Sequence, residues 1–116
     1  MDIFYHLIGD LSISVILLII SIVSKLFPAK KINELIGYRT ARSMRNQDTW
    51  DEANRYFPNI MLKVSIVSIF IGILCFYFMR NSEGFMIAII IPVVLLFYVI
   101  YATEKHLKKM FDENKK

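Results

Sequence analysis

Three long apolar runs, separated by polar stretches of unequal length, divide the chain. "LSISVILLIISIVSKLF" (residues 11–27) is preceded by residues 3–8, with Gly9 and Asp10 between; "IMLKVSIVSIFIGILCFYFM" (60–79) is broken only by Lys63; "FMIAIIIPVVLLFYVIYAT" (85–103) carries no charge. At about 1.5 Å per residue, a helix of about 20 residues covers the roughly 30 Å hydrocarbon core of a bilayer. The pattern therefore predicts an all-α integral membrane protein with one membrane domain over residues 1–116. Its spans fall at about 8–27, 59–79 and 85–103, with a motif loop at 28–58 and a tail at 104–116. Lys63 stands near the start of its span, where a long stem carries the ammonium to the interface. Pro92 removes one hydrogen bond and should bend the third helix without ending it.

Within the runs, small and polar residues recur at helical spacing. Ser65, Ser68, Gly72 and Cys75 follow one another at intervals of three, four and three. Ser14, Ser21 and Ser24 form a similar stripe, with Asp10 one turn above Ser14, and Ala88, Pro92 and Ala102 a weaker one. Small side chains on one face let helix backbones approach, so the stripes predict packing faces rather than a polar conduit. Asp10, at the outer end of a span, lies either in the headgroup layer or in a functional pocket.

A hydrophobic content of 56% exceeds that of a usual soluble domain of 116 residues. Cys75 is the only cysteine and lies inside an apolar run, so no intramolecular disulfide forms. The net charge of +4 comes from 14 basic and 10 acidic residues, and the bases sit beside the apolar runs, which argues for a membrane and against nucleic acid. A signal peptide would need a basic segment before its apolar run, whereas Asp2 and Asp10 precede Leu11 without any Lys or Arg.

The long polar stretch "GYRTARSMRNQDTWDEANRYF" (37–57) holds four arginines and the only tryptophan. Pro28 is a stop for the first helix, and "AKKINEL" leads to Ile36 and Gly37, where glycine permits a tight turn or close backbone approach. "RTARSMRN" reads as a loop or a short turn of helix, on which Arg39, Arg42 and Arg45 would form one basic ridge. Asp48 stands in N-cap position for "TWDEANRYF", with Asp51 and Glu52 in the first turn, where the helix dipole favours negative charge. A short amphipathic cytoplasmic helix of about two to three turns is expected there. Pro58 then either opens the second span or bends the chain between the two helices. Trp50, Asn54 and Phe57 share a helix face that can lie against the membrane or against the loop. Attraction of a basic loop to anionic lipid needs only charge, about 1 kcal/mol per basic residue. Arginine in place of lysine, together with Asn33, Thr40, Trp50 and Asn54, adds rigid forks, further donors and a flat ring suited to phosphate or carboxylate.

The order "N...IGYRTARSMRNQDTWDEANRYF" resembles the signature of the SdpI family, membrane proteins named for immunity to a sporulation-delaying toxin. In that signature an Asn is followed by a Gly-x-Arg-Thr-Pro segment, then by Trp and a helical His or Asn with Arg. Asn33, Gly37, Arg39, Thr40, Trp50, Asn54 and Arg55 stand on matching positions, while Ala41 stands where the family often has Pro and Asn54 where His is frequent. The resemblance covers residues 33 to about 57 and, by pattern, the next two spans. It implies a short form carrying the signature module, a protein of toxin immunity or envelope-stress signalling in the bacterial cell membrane. Asn33, Gly37, Arg39, Thr40, Arg42, Trp50, Asn54 and Arg55 would then bind an anionic group or a protein partner, toxin or regulator. The bilayer and its anionic headgroups are further expected partners, a second copy of the chain is another, and nucleic acid is not.

The alternative is a small membrane enzyme or transporter acting on a phosphorylated lipid, with Arg39 and Arg42 holding the phosphate. A hydrolase needs a nucleophile with a base, or a metal cluster, and neither is evident. His6 and Asp10, spaced i and i+4, offer two ligands at most, and His106 amid lysines reads as a solvated tail residue. No catalytic residue, cofactor or metal is expected.

Orientation follows from the bases. Lys25, Lys30, Lys31, Arg39, Arg42, Arg45, Arg55 and Lys63 flank or fill the first loop, Lys105, Lys108, Lys109, Lys115 and Lys116 lie in the tail, and Arg80 alone lies in the link "RNSEG". The positive-inside rule puts the loop and tail in the cytoplasm and the N-terminus and the link outside. Tyr5, Phe27, Tyr77, Phe85 and Tyr101 fall near the expected interfaces. A cysteine placed at residue 82 should be labelled by a membrane-impermeant reagent from outside intact cells; labelling only after permeabilisation would overturn this topology.

Overall fold

The computed structural model describes residues 2–33, 37–79 and 81–112, with side chains in the first helix described from Leu7 onward. Ile36, Arg80, Lys115, Lys116 and the side chains of Tyr5 and His6, which enter the expectations above, lie outside the described residues. Three helices follow in order: α1 at Asp2–Leu26, α2 at Gln47–Phe78 and α3 at Ser82–Leu107, the last running into a π-helical turn at Lys108–Asp112. The described residues are all-helical, without a strand, and three helices are long and apolar enough to cross a membrane.

The expected separate amphipathic helix does not form. Its residues are the first turns of α2, which runs unbroken from Gln47 through Pro58 to Phe78. The start is fixed two residues earlier than expected, because Asn46 rather than Asp48 is the N-cap. The Asn46 side chain accepts from the Thr49 backbone at 2.9 Å and the Thr49 hydroxyl accepts from the Asn46 N–H at 3.1 Å, a reciprocal capping box. Pro58 costs one intrahelical hydrogen bond, but its buried ring packs without breaking the helix. At its C-terminus, α1 stops at Leu26, two residues before Pro28.

The 32 residues of α2 make a helix about 48 Å long, well beyond the roughly 30 Å of hydrocarbon. Its polar first turns and the last turns of α3 therefore stand together beyond the apolar zone. Between them and α1, Leu17, Met61 and Val99 form one core cluster, with Ile13, Phe57, Ile60, Val64 and Leu96 packed around it. A second cluster of Tyr38, Ala53 and Leu107 lies at the polar end, under the chain that connects α1 to α2.

The small-residue stripes are the packing faces. Ser65, Ser68, Gly72 and Cys75 are all buried, the Ser14 and Ser68 hydroxyls are hydrogen-bonded across the α1–α2 seam, and Ser21, Ala88 and Pro92 are buried as well. Ser24 and Ala102, at the ends of their stripes, are half-buried. Asp10 is buried at 3% exposure, inside the bundle. Large apolar side chains such as Ile16, Ile20, Phe70 and Phe97 point outward, as lipid-facing positions do.

A Cβ on Gly72 would lie 2.7 Å from Leu11 Cδ2 and 3.2 Å from the Asp10 carbonyl oxygen. Gly72→Leu should therefore push α1 from α2, at an overpacking cost of about 1–3 kcal/mol. A melting temperature in detergent several degrees below the parent is expected, with Gly72→Ala between the two; an unchanged melting temperature would show that the seam is loose.

Candidate functional site

The connection between α1 and α2 is seated on one residue. Trp50, one turn into α2, has no exposed surface, and its indole N–H donates to the Ala29 carbonyl at 2.7 Å. Gly37 crosses beside it with φ +105°, a left-handed conformation that favours glycine. A Cβ there would meet Asn54 Oδ1 at 2.7 Å, and Ala29 Cβ and Trp50 Cζ2 each at 3.1 Å. One turn along from Trp50, Asn54 uses both ends of its amide: Oδ1 accepts the Tyr38 backbone N–H at 2.7 Å and Nδ2 donates to the Trp50 carbonyl at 3.0 Å. Phe57 completes the face with its ring 4.7 Å from that of Tyr38. Of the two placements open to the face of Trp50, Asn54 and Phe57, it lies against the loop.

The next residues of the motif reach α3. Glu104 accepts from the Tyr38 phenol at 2.7 Å, the Thr40 hydroxyl at 2.9 Å and the Arg42 guanidinium at 3.3 Å. Asp112 accepts from Arg42 Nε at 3.1 Å and from Arg45. Buried Ser43 ties the turn itself, accepting from the Thr40 N–H at 2.8 Å and lying 3.0 Å from the Tyr38 carbonyl. Burial, and then the neighbouring Glu104, push the Tyr38 phenol far above its ordinary pKa, so it stays a donor. Arg45 and then Arg42 hold the Asp112 carboxyl below the usual carboxylate range. The expected ridge of three arginines is thus a pair: Arg42 and Arg45 converge on Asp112, while Arg39 turns aside and donates to the Asn33 carbonyl at 3.0 Å.

A third group joins α2 to α3 before the apolar run of α2 begins. Glu52 takes both Nε and Nη2 of Arg55, at 2.8 and 2.6 Å, and also bonds His106, whose ring stacks on Tyr56 at 4.1 Å. Arg55 first, then His106, hold Glu52 below the ordinary carboxylate value against its partial burial. His106 is therefore part of the helix junction and not the solvated tail residue that its neighbours suggested.

The eight expected site residues separate by role. Gly37, Trp50 and Asn54 hold the connection to α2, and Thr40 and Arg42 hold it to α3. Asn33 donates to the Lys31 carbonyl at 2.9 Å, and Arg39 and Arg55 are exposed. Tyr38, Ser43, Glu52, Glu104, His106 and Asp112 were not singled out by the sequence reading. A signal for two of them is present: Glu104 and Asp112 are acids in a lysine-rich tail. Among the described residues, no group of three or more His, Cys, Asp or Glu side chains is arranged to hold a metal ion.

The model of the SdpI/YfhL protein family matches residues 30–102, which takes in the whole motif, α2 and most of α3. The uncharacterized protein YfhL of Bacillus subtilis (strain 168) is 38% identical over 95 residues, covering 82% of this chain and 82% of YfhL. No solved structure matches.

Trp50→Ala should empty the seat of the connection and cost about 3–5 kcal/mol. Gly37→Ala forces a side chain into the left-handed region and should cost about 1–2 kcal/mol before its clash with Asn54 is counted. Both variants are expected to unfold at lower temperature in detergent than the parent. A Trp50→Ala protein as stable as the parent would remove Trp50 from this structural role.

Proposed function

The chain belongs to the SdpI/YfhL protein family, and from that premise we propose a multi-pass membrane protein of toxin immunity or envelope-stress signalling. It acts by binding, without turnover, through the connection between its first two spans. That connection and the C-terminal tail lie in the cytoplasm and the N-terminus lies outside, in keeping with the thirteen bases on that side against Arg80 on the other. The motif engages an anionic group or a protein partner at the membrane surface.

One observation carries this reading. The candidate site residues brace a single platform from within, through Gly37, Thr40, Arg42, Trp50 and Asn54, while Arg39 is left on its outside. A loop that served only as a topology signal would need neither the positive-φ glycine nor the buried tryptophan. A recognition surface does, because a group held rigidly from behind loses less freedom when it binds.

Arg39→Lys separates recognition from charge, since lysine keeps the positive charge but lacks the planar fork. Loss of a charge-assisted bidentate contact of about 1.5–3 kcal/mol weakens binding about 10- to 100-fold. In a deletion strain challenged with cell-envelope toxins, Arg39→Lys at parental membrane abundance should lose most protection, and Lys31→Ala should keep it. Full protection by Arg39→Lys would reduce the motif to a charged loop.

A further inference from the structure

Where α1 ends and α2 begins, a cleft of about 570 Å³ opens between the two helices. Its wall includes Lys25, Lys30, Asn54, Arg55, Pro58 and Asn59. The charges are uneven, with three cations facing one carboxylate, Asp51, which itself accepts from Gln47 at 2.7 Å. Arg55 gives Nε and Nη2 to Glu52, which leaves Nη1 outside that pair. Among the described residues, neither Lys25 nor Lys30 enters an ion pair. This sets them apart from Arg42 and Arg45, whose charges are met by Glu104 and Asp112.

Two like charges lining one cleft repel, and an anion between them relieves that repulsion. Pro58 adds a second feature. Having no N–H, it leaves the carbonyl of Asn54, another residue of the wall, without its regular helical donor. The cleft also adjoins the membrane zone: Lys25 is in the last turn of α1, and the next two residues, Leu26 and Phe27, are 67% and 75% exposed. Cations beside outward apolar side chains suit a ligand with a charged head and hydrocarbon tails. The volume falls in the range of small-ligand sites, about 300–1,000 Å³.

We propose that this cleft binds the phosphate of an anionic phospholipid headgroup, held by Lys25, Lys30 and the free edge of Arg55, with the headgroup's hydroxyl or other donor toward the Asn54 carbonyl. The proposal rests on reading the motif as an anion-binding module and names the anion. Phosphate is the chemistry recognised, and a soluble phosphate compound is the other source it could come from.

The test uses the full-length protein in neutral detergent, titrated with phosphatidylglycerol, phosphatidylcholine or inorganic phosphate and read by native mass spectrometry. The parent should take up phosphatidylglycerol in preference to phosphatidylcholine. Lys25→Gln/Lys30→Gln should weaken that uptake at least tenfold. Lys105→Gln/Lys108→Gln, which removes two charges from the same end of the bundle outside the cleft, should leave it unchanged. Asn59→Asp, which adds a carboxylate to the wall and removes no lysine, should weaken it as well, so the outcome does not hang on one variant folding. Phosphate that competes with the lipid at equal affinity would keep the cleft and reassign its ligand to a soluble compound, overturning the lipid. Equal weakening by the two double variants, or no preference for the anionic lipid, would overturn the site. Toxin protection is read separately: lipid uptake by a protein that protects against no toxin keeps the cleft and removes the immunity role.

Discussion

The burial of Trp50 is the interaction on which the polar end of this molecule depends. A tryptophan placed one turn inside a helix can be buried fully only if something covers it and something accepts its indole N–H. The chain leaving α1 does both: Ala29 supplies the acceptor and Gly37 supplies a backbone close enough to cover the ring. Because Gly37 must pass within contact of both Trp50 and Asn54, the path of the connection is set at two points, Ala29 and Gly37. Tyr38 is then delivered to Asn54 through its backbone and to Glu104 through its phenol.

The charges that follow do a different job. Glu104 and Asp112 are each about one quarter exposed with their Arg42 partner in the same range, and ion pairs that keep such access to water contribute little to stability. They do not hold the fold together in the sense that Trp50 does. Their geometry restrains: Arg42 bridges two carboxylates on α3 and its π-helical extension, which fixes the turn at residues 40–45 relative to that helix. The Glu52, Arg55 and His106 group adds a second tie between α2 and α3. A platform seated apolarly on α2 and tied ionically to α3 requires both helices to project past the lipid, which the length of α2 allows.

Hydropathy and spacing made the transmembrane part legible, because in a bilayer composition decides where a helix can be. The stripes of Ser65, Ser68, Gly72 and Cys75 were legible for the same reason: small residues at helical intervals have few other uses in lipid. The polar part was legible as a motif but not as a structure. Asn46 outcompeted Asp48 as the cap because Thr49 could return its hydrogen bond, a reciprocal pairing that a single-residue preference does not contain. Pro58 looked like a boundary, yet one lost hydrogen bond cannot end a helix whose flanks are packed on both sides. The partners of Arg42 and Arg45 lie more than sixty residues away, where no local pattern could join them.

Arginine and lysine divide the positive charge of this end by chemistry. Arg42, Arg45 and Arg55 meet carboxylates of the chain itself, where a planar fork can satisfy several acceptors at fixed angles. Lys25 and Lys30, outside any ion pair among the described residues, line the opening next to the lipid-facing end of α1. A flexible ammonium suits an adaptable contact with a mobile headgroup, as a fork suits a permanent one. Arg39 belongs to neither set. It is an arginine whose bond here is to a backbone carbonyl, so its fixed charge stays uncompensated by any carboxylate among the described residues. A platform that pairs its other motif arginines with its own carboxylates and leaves this one turned outward keeps a fork at its surface for a contact outside the chain.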